Sequence, residues 1–126
     1  MPIRIHEEEP GGLLVATVSG RIHYREFLPV WQKSAEAIGR VGKIRILILL
    51  DNFQGWETSE AWGDTSFQEK YDTFIERIAI VGDSQWKDLV LAFAGKPFRT
   101  LPIQYFLLTQ LAEARAWLGQ VQEHCD

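Results

Sequence analysis

The chain has 126 residues, of which 46% are hydrophobic, 24% are charged and one is a cysteine. This composition is typical of a soluble globular domain, and it argues against a disordered chain, a collagen-like repeat and a disulfide scaffold. Thirteen basic residues against seventeen acidic ones give a net charge of −4 without any basic block, which argues against binding to nucleic acid.

The first third of the chain predicts a hairpin followed by a helix. Apolar residues at 3–5 and 13–18 flank residues 9–12, whose Pro-Gly pair is a strong turn signal. Residues 24–38 show the spacing of a helix, and Gly39 and Gly42 follow as stop signals. The side of this helix that we expect to face the core carries Phe27, Leu28, Trp31, Ala35 and Ile38.

The rest of the chain alternates between predicted strands and helices. The apolar run at 44–50 predicts a buried strand that stops at Asp51, followed by a loop at 52–60 and a helix at 61–72. A second apolar run predicts a strand at 75–81, after which Asp83 or Ser84 is expected to cap a helix that reaches Phe93. A break at Gly95–Pro97, a short edge strand at 98–102 and a helix at 105–121 complete the prediction.

This order of elements indicates the fold class. Strands that alternate with helices imply crossover connections and a mainly parallel sheet, to which the opening hairpin adds an antiparallel strand. We therefore predict an α/β fold in a single domain, residues 1–126, with a mixed, mainly parallel sheet, an N-terminal antiparallel hairpin and about four helices.

Three features of the sequence indicate where in the cell the protein is located. The first ten residues carry three acids where a signal peptide would have its apolar segment. The longest apolar run, at 46–50, is far shorter than the roughly twenty residues that span a bilayer. Cys125 has no second thiol to pair with, as is common in a reducing compartment. We expect a cytoplasmic protein without a membrane span.

Four segments together resemble a known family. They are VSGRIHYREF at 18–27, KIRILILLDNFQGWE at 43–57, RIAIVGDSQW at 77–86 and YFLLTQLAEARAWL at 105–118. In these segments, and in element order over nearly its whole length, the chain resembles the SpoIIAA-like branch of the STAS superfamily. These are small bacterial proteins with the fold of anti-sigma-factor antagonists, related in shape to the CRAL-TRIO lipid-exchange domains. The resemblance implies a mixed α/β fold.

The regulatory members of that superfamily suggest a phosphorylation site. They carry a serine in a DSSG-like sequence just after a strand that ends in Asp. Here Asp51 ends the corresponding predicted strand, and Thr58 and Ser59 follow seven and eight residues later. A phosphate there would gain from a helix N-terminus but would be repelled by Glu57 and Glu60. The simpler interpretation is that Thr58 or Ser59 caps the helix.

An aromatic concentration follows the central predicted strand. Phe53, Trp56, Trp62 and Phe67 occur within fifteen residues. In an open α/β sheet this part of the chain lies at the carboxyl ends of the strands, where ligands usually bind, so an apolar pocket or lid can form. The alternative is that the rings close the end of the core, which aromatic side chains often do.

Motifs for catalysis, metal binding and phosphate binding are missing from the sequence. The acids at 51, 57, 60 and 64 match no cation-binding loop, and the three histidines have no metal-ligand spacing. No GxSxG elbow, GxGxxG loop or P-loop is present. We expect neither an enzyme nor a metal or cofactor site.

Two functions from different classes stay open. The first is a non-enzymatic module that binds an apolar small molecule, or a lipid by analogy with CRAL-TRIO domains, at Phe53, Trp56, Trp62 and Phe67. The alternative is a STAS-type regulatory domain that binds a protein partner and is switched by phosphorylation of Ser59 or Thr58. A homodimer through a sheet edge or the aromatic patch is compatible with both, although no heptad requires one.

Overall fold

A computed structural model describes residues 3–8, 12–57, 70–93 and 101–119. These residues form one five-stranded sheet in which strands follow each other in sequence order. The first pair is antiparallel and the other three pairs are parallel, which confirms the predicted hairpin and the mixed, mainly parallel sheet. The strands are β1 (Ile3–Glu8), β2 (Leu13–Ile22), β3 (Ile44–Trp56), β4 (Ile75–Gly82) and β5 (Ile103–Leu107).

Three α-helices lie in the described ranges: α1 (Tyr24–Val41), α2 (Lys87–Phe93) and α3 (Leu111–Gly119). Parallel strands in sequence order, joined by right-handed crossovers, place every crossover on the same face of the sheet. Accordingly Val30 of α1 and Val90 of α2 pack with one set of strand side chains, on what we call the crossover face. Ala114 and Leu118 of α3 pack with the alternate set, on the opposite face.

The side of α1 that faces the core differs from the predicted side by about one residue, although Ile38 is buried as predicted. The buried residues are Val30, Ser34, Ala37 and Ile38, whereas Leu28 is 38% exposed. Small side chains let the helix lie close to the sheet, and Ser34 can be buried because its hydroxyl donates to the Val30 carbonyl at 2.7 Å. Phe27, Trp31 and Ala35 are half-buried beside this face. The helix also continues through Gly39 and ends at Gly42, whose φ is 93°.

The predicted stop at Asp51 and the loop after it are also wrong, since β3 continues to Trp56. Between the Ser19–Asp51 and Ile22–Trp56 pairs, β3 uses two more residues than β2 does. Asn52 and Gly55 have positive φ values of 55° and 98°, as expected where extra residues bulge out of a strand. The bulges let the strand pair through a segment whose composition is typical of a turn.

The C-terminal elements differ from the prediction in register. Leu101 and Pro102 precede the edge strand instead of forming it, since β5 starts at Ile103. The strand therefore occupies the first residues of the helix that was predicted at 105–121. Tyr105 and Phe106 are both buried, on opposite faces of the sheet. Consecutive residues can both be buried in this way when a strand is covered on its two faces. The strand ends where the Gln110 side chain accepts the Leu107 N–H at 2.8 Å, and α3 begins at Leu111.

The segments around α2 are partly outside the described residues. The predicted helix at 61–72 is described only at 70 and 71, which are helical, before a 3₁₀ turn at Asp72–Phe74. The predicted break at 95–97 lies outside the described residues. The helix predicted to reach Phe93 is described as far as that residue. The prediction that the Asp83 side chain caps it is wrong, because the Asp83 carboxylate makes no capping hydrogen bond. Its backbone carbonyl instead accepts the Trp86 N–H at 3.1 Å.

Two neighbouring acids of β1 connect the sheet to both helical layers. Glu7 points to the crossover face, where it binds the Arg40 guanidinium of α1 and accepts the Gly12 N–H at 2.8 Å. Glu8 points to the opposite face and forms a two-bond ion pair with Arg115 of α3, at 2.8 and 3.1 Å. Arg115 lowers the pKa of Glu8 to about 2. The edge strand is thus fastened to a helix on each side.

Two arginines bind the C-terminal end of α3. Arg45 and Arg77 are register partners on β3 and β4. Arg45 donates to the Leu118 carbonyl at 3.3 Å and Arg77 to the Trp117 carbonyl at 2.6 Å, while Arg77 also lies 4.7 Å from the centre of the Trp117 ring. Cations at a helix C-terminus satisfy its free carbonyls and favour its dipole.

Gly82 provides a test of the packing on the crossover face. A Cβ built there would lie 2.5 Å from the Tyr105 hydroxyl and 2.7 Å from Leu50 Cδ1, so Gly82→Ala forces side chains to move. We expect the variant to lose about 1–3 kcal/mol of unfolding free energy in urea denaturation. Gly39→Ala is the control, because its Cβ would meet no atom within 4 Å and alanine favours a helix, so it should gain about 0.5–1 kcal/mol. An unchanged midpoint for Gly82→Ala would contradict the packing.

Candidate functional site

Three aromatic side chains meet where the last residues of β3 extend past the end of β4. The rings of Phe53 and Trp86 are edge to face at 4.8 Å between centroids, and those of Phe53 and Trp56 are tilted at 5.8 Å. Phe53 is 7% exposed, and the two indoles are half-buried. We call these three residues the aromatic cluster. Phe53 belongs to the core, whereas Trp56 and Trp86 form a partly open rim around it.

The local backbone explains this arrangement. Pairing between β3 and β4 ends at Leu49 and Val81, but β3 runs on to Trp56 with β2 alone. Trp86, from the turn after β4, lies beside the free stretch of β3. Gly55 lies directly under the Trp86 ring, since a Cβ built there would be in ordinary contact with the ring at 3.5 Å, and its φ of 98° favours glycine.

The site residues predicted from the sequence fall into two groups. Phe53 and Trp56 lie together at the end of the sheet, as their position after the central strand suggested. Trp62, Phe67, Thr58 and Ser59 lie outside the described residues. The sequence interpretation missed Trp86, because its spacing was assigned to a helix. Its place four residues after a buried strand, in GDSQW, was the available signal.

Glu57 holds the rim of the cluster against α1. Its carboxylate accepts the Tyr24 N–H at 2.6 Å and lies 3.1 Å from Nδ1 of His23, while its own N–H donates to the Ile22 carbonyl at 2.9 Å. An acid at the first turn of a helix satisfies a free N–H and interacts favourably with the dipole. The Tyr24 N–H and then His23 lower the pKa of Glu57. This role is structural and differs from the cation-ligand role that the sequence analysis considered.

A buried tyrosine lies below the cluster. The Tyr105 hydroxyl donates to the Asp83 carbonyl at 2.6 Å, directly beside Gly82. Burial, and to a smaller extent the charge of Asp83, raises the pKa of Tyr105 to about 12. Tyr105 therefore stays protonated at neutral pH and acts as a hydrogen-bond donor that fixes the turn leading to Trp86.

Within the described ranges, no group of three His, Cys, Asp or Glu side chains is arranged to hold a metal ion. None of the helices in the described part of the chain is both long and apolar enough to cross a membrane.

Comparison with known proteins identifies the family. A family model described as SpoIIAA-like matches residues 13–119. The chain belongs to the SpoIIAA-like family. This match confirms the resemblance seen in the four sequence segments. A comparison with curated proteins found no match.

A solved structure shows the same fold. It is an uncharacterized protein of the DUF3478 family from Shewanella loihica, described as having a SpoIIAA-like fold. The two chains superpose with a TM-score of 0.69 over 92% of this chain and 91% of the other, at 19% sequence identity. At this identity the likeness extends to the fold of this SpoIIAA-like protein and not to a ligand or partner.

The Glu57 contact predicts a pH effect on stability. Glu57→Gln keeps the size and one acceptor but removes the charge, so we expect a lower melting temperature at pH 7. Because the folded-state pKa is lowered, the carboxylate stabilises the fold above its ordinary pKa of about 4.3, and this contribution is lost as pH falls towards the folded-state value. The difference between the two proteins should therefore shrink at about pH 3.

Melting curves at the two pH values check this effect. Glu36→Gln, at an exposed glutamate on α1, is the matched control and should leave the curves unchanged. A gap between wild type and Glu57→Gln that is the same at both pH values would contradict the assigned role.

Proposed function

We propose that this SpoIIAA-like protein is a non-enzymatic binding module of the cytoplasm that takes an apolar small molecule at the aromatic cluster. The observation that carries the proposal is the pair of half-buried indoles, Trp56 and Trp86, on either side of the core residue Phe53. Indole rings supply a large apolar area with a specific geometry, and burying what remains exposed would favour binding.

The location supports the same proposal. Ligands of open α/β sheets bind beyond the carboxyl ends of the strands, where β3 and β4 end here. Trp62 and Phe67 were predicted from the sequence as part of the same site, and we retain them in the proposal as residues to be tested. The analogy with CRAL-TRIO domains is consistent with an apolar ligand but names none.

The proposal contains no catalytic step. Two polar groups near the aromatic cluster have structural partners: the Glu57 carboxylate binds the start of α1, and the Tyr105 hydroxyl binds the Asp83 carbonyl. Groups engaged in this way position the rim, and they offer neither a free base nor a nucleophile to a ligand.

Ligand binding can be measured directly. Dodecanoic acid added to the purified protein should change its tryptophan fluorescence, and native mass spectrometry of gently purified protein should show a bound apolar molecule. Replacing both Trp56 and Trp86 by Phe should weaken binding by about ten-fold, since much of the indole contact is lost. Trp117→Phe, on the opposite face against Phe106, is the matched control and should bind like wild type.

The outcome that would overturn the proposal is equally clear. A clean unliganded mass, together with no fluorescence change across fatty acids, alcohols and sterols, leaves no role for the cluster as a binding site.

A regulatory role is the second candidate, and the position of Glu57 favours it. Thr58 and Ser59 directly follow a residue that is bound to the start of α1, so a phosphate there would add charge beside this contact. If the protein binds a partner under this control, a protein that co-purifies with wild type and with Ser59→Ala should be lost from Ser59→Glu. Equal recovery of the partner protein with both variants would contradict control by phosphorylation.

A further inference from the structure

The outer edge of β1 is open to a further strand. Within the described ranges, β1 is an outermost strand of the sheet and pairs with β2 alone. Its side chains alternate between the two faces, so that Arg4 and His6 point to the same face as Glu8, opposite the crossover face. Arg4 and His6 are exposed, and the Glu8 side chain is 30% exposed. An unpaired strand edge offers free N–H and C=O groups to another strand.

The charges of β1 do not protect this edge against a second copy of the chain. Natural edge strands are often protected by charged side chains, and like charges directly opposite each other destabilise a strand pair. The charged residues of β1 have opposite signs at its two ends, with Arg4 near the start and Glu8 at the end. Arg4 makes no ion pair with any part of the chain that the structure describes. The strand is therefore complementary in charge to a copy of itself that runs in the opposite direction.

The other outermost strand lacks this property. The residues of β5 are all uncharged, so no charge selects one register of self-pairing over another. The N–H of its last residue, Leu107, is already bound by the Gln110 side chain.

Charge also selects the register of a β1 pair. In an antiparallel pair related by a two-fold axis, opposite residues lie on the same face of the sheet, so the pair is centred on one residue and its copy. A pair centred on His6 places Arg4 opposite the partner's Glu8 at both ends. A pair centred on Glu7 brings Glu7 to the partner's Glu7, and one centred on Ile5 brings Arg4 to the partner's His6. Of these, only the pair centred on His6 joins an arginine to a carboxylate.

Glu8 has the capacity for this contact. A carboxylate offers about four acceptor positions. Arg115 uses two of them, at 2.8 and 3.1 Å, and Nε2 of His6 lies 3.3 Å from one oxygen. Arg115 also lowers the pKa of Glu8 to about 2, so the carboxylate is charged at neutral pH. The exposed part of the side chain leaves room for a second guanidinium.

We propose that the protein forms a two-fold homodimer in which β1 pairs antiparallel with β1 of a second copy, centred on His6. The two sheets then join into one continuous sheet, with an ion pair between Arg4 and the partner's Glu8 at each end of the junction. The pairing needs only residues 4–8 of each chain, all of which the structure describes. The aromatic cluster lies on β3 and after β4, away from this edge, so the inference does not depend on the proposed function.

The size of the interface sets the expected strength of the dimer. Five residues a side are far fewer than the roughly 20–30 of a standard protein interface. We therefore expect a reversible dimer with a dissociation constant on the order of 100 µM. Sedimentation velocity at protein concentrations below and above this value should show a monomer–dimer equilibrium.

Arg4→Glu tests the ion pairs. The change turns each pair of opposite charges into a pair of like charges, so dimerisation should weaken by at least about ten-fold. Arg21→Glu is the matched control, because Arg21 is an exposed arginine of β2 beyond the residues that pair with β1. It should dimerise like wild type. A wild-type protein that stays monomeric throughout, or an Arg4→Glu protein that dimerises as well as wild type, would overturn the inference.

Disulfide cross-linking tests the register. Residues directly opposite in an antiparallel pair have Cβ atoms about 4.5–5.5 Å apart, close to the distance that a disulfide spans. In a Cys125→Ser background, which removes the native thiol, His6→Cys should form a covalent dimer under mild oxidation. Gln104→Cys is the control, since Gln104 is exposed on β5 and on the same face, and it should stay largely monomeric.

The cross-linking experiment also stands on its own. If Arg4→Glu does not fold, as judged by circular dichroism, His6→Cys still decides the question. No covalent dimer from His6→Cys, or equal yields from His6→Cys and Gln104→Cys, would overturn the inference. Either result leaves the proposed ligand binding at the aromatic cluster untouched, because that site is measured separately.

Discussion

The pairing of β2 with β3 beyond the end of β4 is the constraint on which the site depends. Two bulged residues with positive φ, Asn52 and Gly55, let β3 follow β2 after regular pairing would have ended. The extension brings Phe53 over the end of the core and leaves one edge of β3 open to Trp86. Bulges commonly re-aim side chains near functional sites, and here they turn the end of a strand into an aromatic rim.

The one-sided placement of the crossovers determines the rest of the architecture. Since strand order follows the sequence, α1 and α2 share one face, and within the described ranges α3 is the helix on the other. A nine-residue helix buries little surface, so its attachment relies also on charged groups, one contact in its middle and two at its C-terminus. Glu8 holds Arg115, and Arg45 and Arg77 bind the last carbonyls of α3. The sheet therefore carries α1 and α2 on one side, and on the other a short helix held partly by polar groups.

Much of the fold could be predicted from the sequence, because apolar runs at 44–50 and 75–81 have the length and composition of buried strands. The predictions failed where local composition and tertiary context disagree. The run from Tyr105 to Leu107 has the spacing of a helix, yet Tyr105 and Phe106 are each buried on a different face, which requires a strand. In α1, Ser34 is buried and Leu28 exposed, because close packing on the sheet selects small side chains over large ones.

The aromatic cluster was predictable only in part from the sequence. Phe53 and Trp56 follow the apolar run of the central strand, and a general rule of α/β sheets places such residues at the ligand end. Trp86 could not be assigned by periodicity, since its contact with Phe53 depends on the bulged backbone at Gly55.

The bond between Gln110 and the Leu107 N–H has a consequence for the behaviour of this protein at high concentration. β5 is an outermost strand with no charged residue of its own, the kind of border along which identical chains can stack into fibrils. By occupying a main-chain donor at the end of that border, one glutamine removes a point of attachment for a neighbouring molecule. A short turn that ends a strand thereby also contributes to keeping the protein dispersed.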